Sequence, residues 1–201
     1  MAPQDALRST AIENLRALPW HSLRPSALVD FILLLACGKP AVRLQAEGGG
    51  DPRVMAELSA WCRDRGFDMA TDGEGFACVA SEAGYAGRVL EIDRRPEPHE
   101  LELGLALGYP RCCAERIAAL GESGIDDYAR EASTWLFAGP YRRINPSAYR
   151  EGCALISHLP CSPACGPSLV LANRAWEFVL AHRSEPLLSA LCHSPILGAV
   201  D

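Results

Sequence analysis

The sequence predicts an α+β protein in which a small α/β two-layer sandwich is followed by an all-α cysteine-containing domain. The first half alternates short apolar runs with glycine-rich turns, which is typical of short helices and strands. The second half consists of apolar-periodic segments separated by Gly/Pro turns, which indicates successive helices. Between them lies "RRPEP" at 94–98, a charged, proline-rich linker. We therefore expect domains at 1–93 and 99–201.

The first half has a predicted order of helix, strand, helix, strand, strand. Asp51 is placed to cap a helix that has Pro52 at its first position. The turn "DGEG" separates two short strands within 66–81, and "GRVLEID" is interpreted as a further strand. The predicted elements are a helix at 28–38 ending at Gly38, a strand at 41–48, a helix at 53–66, the two strands within 66–81 and a strand at 87–93.

The second half is predicted to contain helices only. Their apolar residues recur at helical spacing, and Gly or Pro stands near most of their ends. The predicted helices cover 99–108, 110–121, 126–139, 146–159, 162–183 and 185–193.

Composition narrows the classes of partner. The chain has 201 residues with 49% apolar residues, 22% charged residues and a net charge of −6, as in an ordinary globular protein. No basic cluster interleaved with aromatic residues occurs, so nucleic acid is not expected as a partner. The longest apolar run, "ALVDFILLLACG", contains Asp30 and is too short to span a membrane.

The cysteine content predicts thiol or metal chemistry in a reducing compartment. The N-terminus has acidic residues and no apolar core of a signal peptide, so we expect a cytoplasmic protein. Nine cysteines in such a protein are packing residues, metal ligands or catalytic thiols rather than a disulfide framework. We interpret Cys37, Cys62, Cys78 and Cys192 as small core residues, because each stands alone in an apolar segment.

Four other cysteines stand near predicted helix starts. In "LGYPRCC" (107–113), Pro110 suits the first helical turn, which puts Cys112 and Cys113 in that turn. In "GCALISHLPCSPAC" (152–165), Ser162 is the predicted N-cap, with Cys161 before it and Cys165 in the following turn. Unpaired N–H groups and the helix dipole favour thiolates at such positions.

Together these thiols predict a metal centre with Cys112, Cys113, Cys161 and Cys165 as ligands. His158 is predicted to complete the centre as a ligand or to donate a hydrogen bond to a ligand. An iron–sulfur cluster is preferred over zinc, because side chains of adjacent cysteines diverge and a cluster spreads its irons over a wider volume. A metal-free redox dithiol and inert packing remain as alternatives.

A resemblance to a known family covers 24–81, whose "LSAWCRDRGF" helix precedes a predicted hairpin. This segment resembles a TusA/SirA-type sulfur-carrier domain. In that family the persulfide-bearing cysteine precedes a proline at the start of the first helix, whereas this chain has Arg24 before Pro25. The resemblance therefore implies a docking or scaffold domain without the carrier cysteine.

The second half resembles a family of uncharacterised proteins that have the pattern L-G-Y-P-x-C-C, then an Asn, then H-x-P-C-S-x-x-C. The matching residues here are Leu107, Gly108, Tyr109, Pro110, Cys112, Cys113, Asn145, His158, Pro160, Cys161, Ser162 and Cys165. The resemblance implies that these residues form one site.

These observations predict a cytoplasmic, cysteine-ligated metalloprotein, with an iron–sulfur centre that acts in sulfur transfer or redox chemistry. The expected partner is a small molecule or a sulfur carrier. One alternative is a structural zinc site in an interaction module, with the α/β half as docking surface. The other is a metal-free thiol–disulfide oxidoreductase.

Overall fold

The structure, a computed structural model, describes residues 3–45, 51–96, 98–150 and 152–192. The α+β class is confirmed, since a three-stranded antiparallel sheet is surrounded by helices. The helices are α1 Pro3–Arg16, α2 Ala27–Cys37, α3 Pro52–Arg65, α4 Tyr85–Asp93, α5 Glu100–Ala106, α6 Arg111–Leu120, α7 Glu122–Ser133, α8 Gly166–Ala181 and α9 Pro186–Cys192. The strands are β1 Ala41–Gln45, β2 Asp68–Thr71 and β3 Phe76–Ala80. Within these described ranges, no helix has the length and apolarity needed to cross a bilayer.

The sheet has the order β1-β3-β2, and helices cover both of its faces. Val42 and Val79 point into the core formed with α2 and α3, whereas Cys78 and Ala80 pack with Val89 of α4. The central strand β3 is therefore buried on both sides, which explains its uninterrupted small and apolar residues.

Most predicted elements of the first half are confirmed. Helix α2 ends at Gly38, whose φ of 73° is the left-handed conformation common after a helix. The Asp51 carboxylate accepts a hydrogen bond from the Arg53 N–H at 2.8 Å, so it caps α3 as predicted. Strands β2 and β3 flank the predicted turn. The predicted strand end at 46–48 lies outside the described residues, as does the last residue of the predicted helix 185–193.

The predicted strand at 87–93 is wrong, because this segment belongs to helix α4. The buried residues Ala86, Val89 and Leu90 have the i, i+3, i+4 spacing of a helix face. That repeat begins before the predicted strand, so the short run at 87–93 does not reveal it. Helix α4 covers the second face of the sheet and thereby adds a third layer to the predicted two.

The predicted helix at 146–159 is also wrong. A short 3-10 turn at Pro146–Ala148 is followed, over the described residues 149–150 and 152–165, by irregular backbone up to the start of α8. Gly152 has a φ of 70°, and a Cβ added there would overlap the Pro25 carbonyl oxygen. The chain therefore turns at Gly152 against the first half, and a continuous helix cannot form there.

Two further helices differ from the prediction in their boundaries, and one helix was not predicted. Helix α8 begins at Gly166 with Cys165 as its N-cap, so the predicted N-cap role of Ser162 is wrong. Helix α7 covers Glu122–Ser133 rather than 126–139, because it begins directly after Gly121. Helix α1 has no counterpart in the prediction, although Leu15 on it is fully buried.

One hydrophobic core contains side chains from both sides of the predicted linker. Phe31 and Trp61 of the first half belong to the same cluster as Ile144, Ile156 and Phe178 of the second. Helix α2 packs directly against α8. The division into domains at 94–98 itself stays a prediction.

Candidate metal centre

The four cysteines predicted as ligands converge on one point. The Sγ atoms of Cys112, Cys113 and Cys165 lie 3.6 to 3.9 Å from one another. With the Sγ atom of Cys161 they form a group in which all four sulfur atoms lie within 4.8 Å of one another. Cysteine ligation of a metal ion is therefore compatible with this geometry.

Two helix starts and one loop bring these thiols together. Pro110 is the N-cap of α6, and Cys112 and Cys113 occupy its first turn as predicted. Cys165 is the N-cap of α8, whereas Cys161 lies in the loop that precedes it. The buried Tyr128 of α7 donates a hydrogen bond to the Pro160 carbonyl at 2.9 Å, which holds this loop in place.

A short chain of hydrogen bonds links the buried thiols to Ser168 and, through Ser168, to His158. The Ser168 hydroxyl donates to the Cys165 Sγ at 3.2 Å and lies 3.3 Å from the Cys113 Sγ. The His158 Nε2 lies 2.8 Å from the Ser168 Oγ. Because Ser168 has one hydroxyl proton and gives it to sulfur, His158 donates its Nε2 proton to Ser168.

His158 therefore reaches the thiols through Ser168 rather than as a member of the four-sulfur group. Burial, together with the nearby Lys39 ammonium, lowers the pKa of His158 to about 3. The imidazole is therefore neutral at physiological pH and has one N–H group, which is the Nε2–H that binds Ser168. A neutral group that donates a hydrogen bond towards a metal ligand fixes the orientation of that ligand without adding charge.

The ionisation of the thiols depends on their burial and neighbours. Burial, and then the neighbouring thiols, raises the pKa of Cys161 to about 11. Burial likewise raises the pKa of Cys113 above its usual range. Burial favours the neutral form of Cys165 as well, but hydrogen bonds from the hydroxyl and the backbone amide of Ser168 outweigh it. The pKa of Cys165 is therefore below its usual value. Four thiolates can thus coexist here only beside a cation.

One side of the centre is closed and the other is accessible. Cys113 and Cys165 are 1% and 3% exposed, whereas Cys112 and Cys161 are half-buried. A cavity of about 360 Å³ lies against Cys113. Its walls include Tyr109 and His158, whose rings pack 5.1 Å apart, and otherwise mainly aliphatic side chains of α5 and α6.

The structure contains a buried polar network that was not among the residues predicted from the sequence. Asp30 of α2 and Lys39 are 2% and 6% exposed, and both reach residues of the second half. The Tyr149 hydroxyl donates to Asp30 at 2.7 Å, and the Lys39 ammonium donates to Ser157 at 2.6 Å. The signal for this network was Asp30 itself, a carboxylate inside an apolar helix, which requires a buried partner.

The four cysteines interpreted as packing residues are buried, as predicted. Cys37 and Cys62 belong to the large core, and Cys78 lies between the sheet and α4. Burial raises the pKa of each of these three thiols to about 12, which makes them inert at neutral pH.

Comparison with protein-family models, with curated proteins and with solved structures found no match for this chain. The resemblance of 24–81 to sulfur carriers and that of the second half to an uncharacterised family therefore stay predictions.

Proposed function

We propose that this chain is a zinc protein in which Cys112, Cys113, Cys161 and Cys165 hold one metal ion. The separation of the sulfur atoms carries the proposal. A tetrahedral ion with Zn–S bonds of about 2.3 Å requires its sulfur ligands to lie about 3.8 Å apart. Three of the sulfur–sulfur distances here are 3.6, 3.8 and 3.9 Å.

A single ion fits this geometry better than the iron–sulfur cluster that the sequence favoured. In a cluster with four cysteine ligands, sulfur atoms bound to different irons lie farther apart than ligands of one ion. The preference for a cluster rested on the divergence of adjacent side chains. Cys112 and Cys113, however, bring their sulfur atoms to 3.9 Å across the first turn of α6.

Four thiolates complete the coordination of zinc, so the proposed role of the ion is structural. It joins the starts of α6 and α8 to the loop that carries Cys161, and it fixes the wall of the 360 Å³ cavity beside Cys113. This supports the interaction-module alternative over sulfur transfer. The small-molecule or sulfur-carrier partner and the cytoplasmic location stay predictions.

A single iron ion with redox function is the second candidate, since iron accepts the same four thiolates. The half-buried Cys112 and Cys161 favour it, because electron transfer needs an accessible edge. The hydrogen bond from Ser168 to the Cys165 sulfur also favours it, because such bonds tune the potential of iron–thiolate centres.

Metal analysis of protein purified without oxygen and without chelators tests the proposal. We expect about one zinc ion per chain and no acid-labile sulfide, as one tetrahedral site requires. Cys161→Ser should lose the metal, whereas Cys153→Ser, a half-buried cysteine of the same segment outside the four-sulfur group, should retain it.

Each other result has a defined meaning. Iron with sulfide would contradict the zinc proposal and support an iron–sulfur cluster. Iron without sulfide would support the single-iron candidate. A folded protein with no metal would contradict all three.

A further inference from the structure

The core contains an ion pair that the proposed metal centre does not need. The Lys39 Nζ lies 3.9 Å from the Asp30 Oδ1, and both side chains are at least 96% buried. Isolating two charges from water is unfavourable unless their mutual attraction offsets it. A pair that is only moderately close therefore points to a role other than stability.

Ser157 connects this pair to a cavity. The Lys39 Nζ donates a hydrogen bond to the Ser157 Oγ at 2.6 Å. Ser157 also lines a cavity of about 310 Å³, together with Ser147, Tyr149 and His158. The Ser157 hydroxyl is thus placed between a buried amine and a space that can hold a small molecule.

We propose that Ser157 and Lys39 are the nucleophile and the general base of a hydrolytic site that cleaves a small ester in this cavity. Serine–lysine pairs perform acyl transfer in unrelated folds, and they require a hydroxyl in hydrogen-bond reach of an amine. The 2.6 Å contact meets that requirement.

The surroundings of Lys39 suit a base. Burial lowers the pKa of Lys39 to about 8, although Asp30 opposes this effect, so a neutral amine is available slightly above neutral pH. The ring of Tyr109 lies 4.8 Å from the Lys39 Nζ and covers it. The Tyr149 hydroxyl bond to Asp30 orients the carboxylate that faces the amine, which makes Asp30 a positioning residue.

The reaction balances without a cofactor. The Ser157 Oγ–H proton passes to the neutral Lys39 amine while Oγ forms a bond to the ester carbonyl carbon. The bond to the leaving alkoxide then breaks, and the alkoxide takes the proton from the Lys39 ammonium. A water molecule next attacks the acylated serine and gives a proton to Lys39, which returns it to the Ser157 oxygen as the carboxylic acid leaves.

The site is separate from the metal centre. Ser157 and Lys39 do not belong to the four-sulfur group, and the inference does not depend on which metal the cysteines hold. Failure of the zinc proposal would leave this inference untouched, and the reverse is also true.

A fluorophosphonate probe tests the inference on the whole 201-residue chain as purified. Its phosphorus bonds to an activated serine oxygen as fluoride leaves, and mass spectrometry locates the adduct. We expect modification of Ser157 in the unaltered protein and none in Ser157→Ala. Ser59→Ala is the control, because Ser59 is an exposed serine of α3 that does not line this cavity, and it should be modified at Ser157 at an unchanged rate.

Three measurements test Lys39 as the base. Lys39→Met should lower the rate of modification by about 100-fold or more, as expected for loss of a general base. Lys39→Arg keeps the charge beside Asp30 but cannot accept a proton, so it should show a similar loss. In the unaltered protein the rate should rise as the pH passes through the pKa of Lys39, near 8.

Cys78 and His158 do not mimic that rise, because burial raises the pKa of Cys78 to about 12 and lowers that of His158 to about 3. Burial raises the pKa of Tyr109 above its usual range and raises the pKa of Asp30 from its usual acidic value, so the Lys39 variants are needed to separate titration of the amine from titration of the Asp30 carboxyl. Absence of the Ser157 adduct in folded protein would overturn the proposal. Equal modification of Ser157→Ala would overturn it as well, and a rate independent of pH would remove Lys39 as the base.

Discussion

A single hydroxyl group connects His158 to the sulfur atoms of the candidate metal centre. Ser168 is completely buried, accepts from His158 and donates to the Cys165 sulfur. Nothing in the cysteine pattern indicated Ser168, because a serine in an apolar helix is usually a small packing residue. Its role depends on the three-residue spacing from Cys165, which puts both on one face at the start of α8.

Ser168→Ala should weaken zinc binding by about 10- to 100-fold, the usual effect of removing a hydrogen bond that supports a metal ligand. The physical reason is that the Cys165 thiolate loses the donor that lowers its pKa. Competition with a chromophoric chelator measures the affinity. Ser162→Ala, in the same loop region but without a side-chain bond to sulfur among the described residues, should bind as the unaltered protein does. Equal affinities for all three proteins would contradict the role given to Ser168.

Zinc binding should also depend steeply on pH. The pKa of Cys161, about 11, and the raised pKa of Cys113 leave both thiols protonated in the metal-free protein at neutral pH. Zinc must displace these protons, so apparent affinity should rise with pH by about tenfold per proton per pH unit, or about 100-fold for two protons.

Calorimetry in buffers with different ionisation enthalpies counts the released protons directly. We expect about two or more protons per zinc ion near pH 7. Release of no proton would show that the thiols are already ionised without a metal, which the burial of Cys113 opposes.

At the scale of residues, the four cysteines that converge could be predicted from the sequence, whereas the residues that form hydrogen bonds around the candidate sites could not. Cys112, Cys113, Cys161 and Cys165 were predictable because prolines mark helix starts and helix starts favour thiolates. Ser157 could not be related to Lys39, because 118 positions separate them and no local pattern joins them.

At the scale of elements, two glycine turns bring the second half against the first. Gly108 has a φ of 74°, and a Cβ added there would lie 2.5 Å from the Pro40 side chain, next to Lys39. Gly152 has a φ of 70° and contacts the Pro25 backbone. These close approaches place Tyr109 and the segment that carries Ser157 against Lys39.

Gly152→Ala should therefore destabilise the protein more than a glycine replacement that meets only backbone strain. Gly84 is the matched control, since its φ is 74° and a Cβ there would meet no atom within 4 Å. We expect Gly84→Ala to lower the free energy of unfolding by about 1 kcal/mol, the cost of a left-handed alanine. Gly152→Ala should cost about 1–3 kcal/mol more because of the overlap with Pro25. Urea denaturation measures both, and equal losses would contradict the close approach.

The wrongly predicted helices and strand share one cause. Tertiary contacts, rather than the local sequence pattern, determine where these elements begin and end. The segment 146–159 has helical spacing, but Gly152 must turn against Pro25. The chain that follows is held by hydrogen bonds from Tyr128 to the Pro160 carbonyl and from Lys39 to the Ser157 hydroxyl. By contrast, α2 and α3 were predicted almost to the residue, because Gly38, Asp51 and Pro52 are local signals.

At the scale of the whole molecule, the four-sulfur group and the Ser157 site lie in different parts of one fold. The sulfur centre belongs to the second half, whereas the Ser157 site takes Asp30 and Lys39 from the first half and its cavity from the second. His158 links the two, since it lines both cavities and also supports Ser168.

Removal of the metal should therefore destabilise both halves rather than the helical half alone. The shared core joins α2 to α8, whose first residues follow Cys165 directly, so loss of the ion should be transmitted to the sheet through packed side chains. An ion present at a thousand times its dissociation constant stabilises the native state by about 4 kcal/mol, which corresponds to about a thousandfold in the rate of amide exchange from the unfolded state.

Hydrogen–deuterium exchange of peptides from β3 and from α8, with and without a zinc chelator, measures this loss of stability. We expect a similar loss of protection in both peptides, and Cys161→Ser should reproduce it without a chelator. Loss in α8 with unchanged protection in β3 would instead show that the chain unfolds as two units, with their boundary at the predicted linker 94–98.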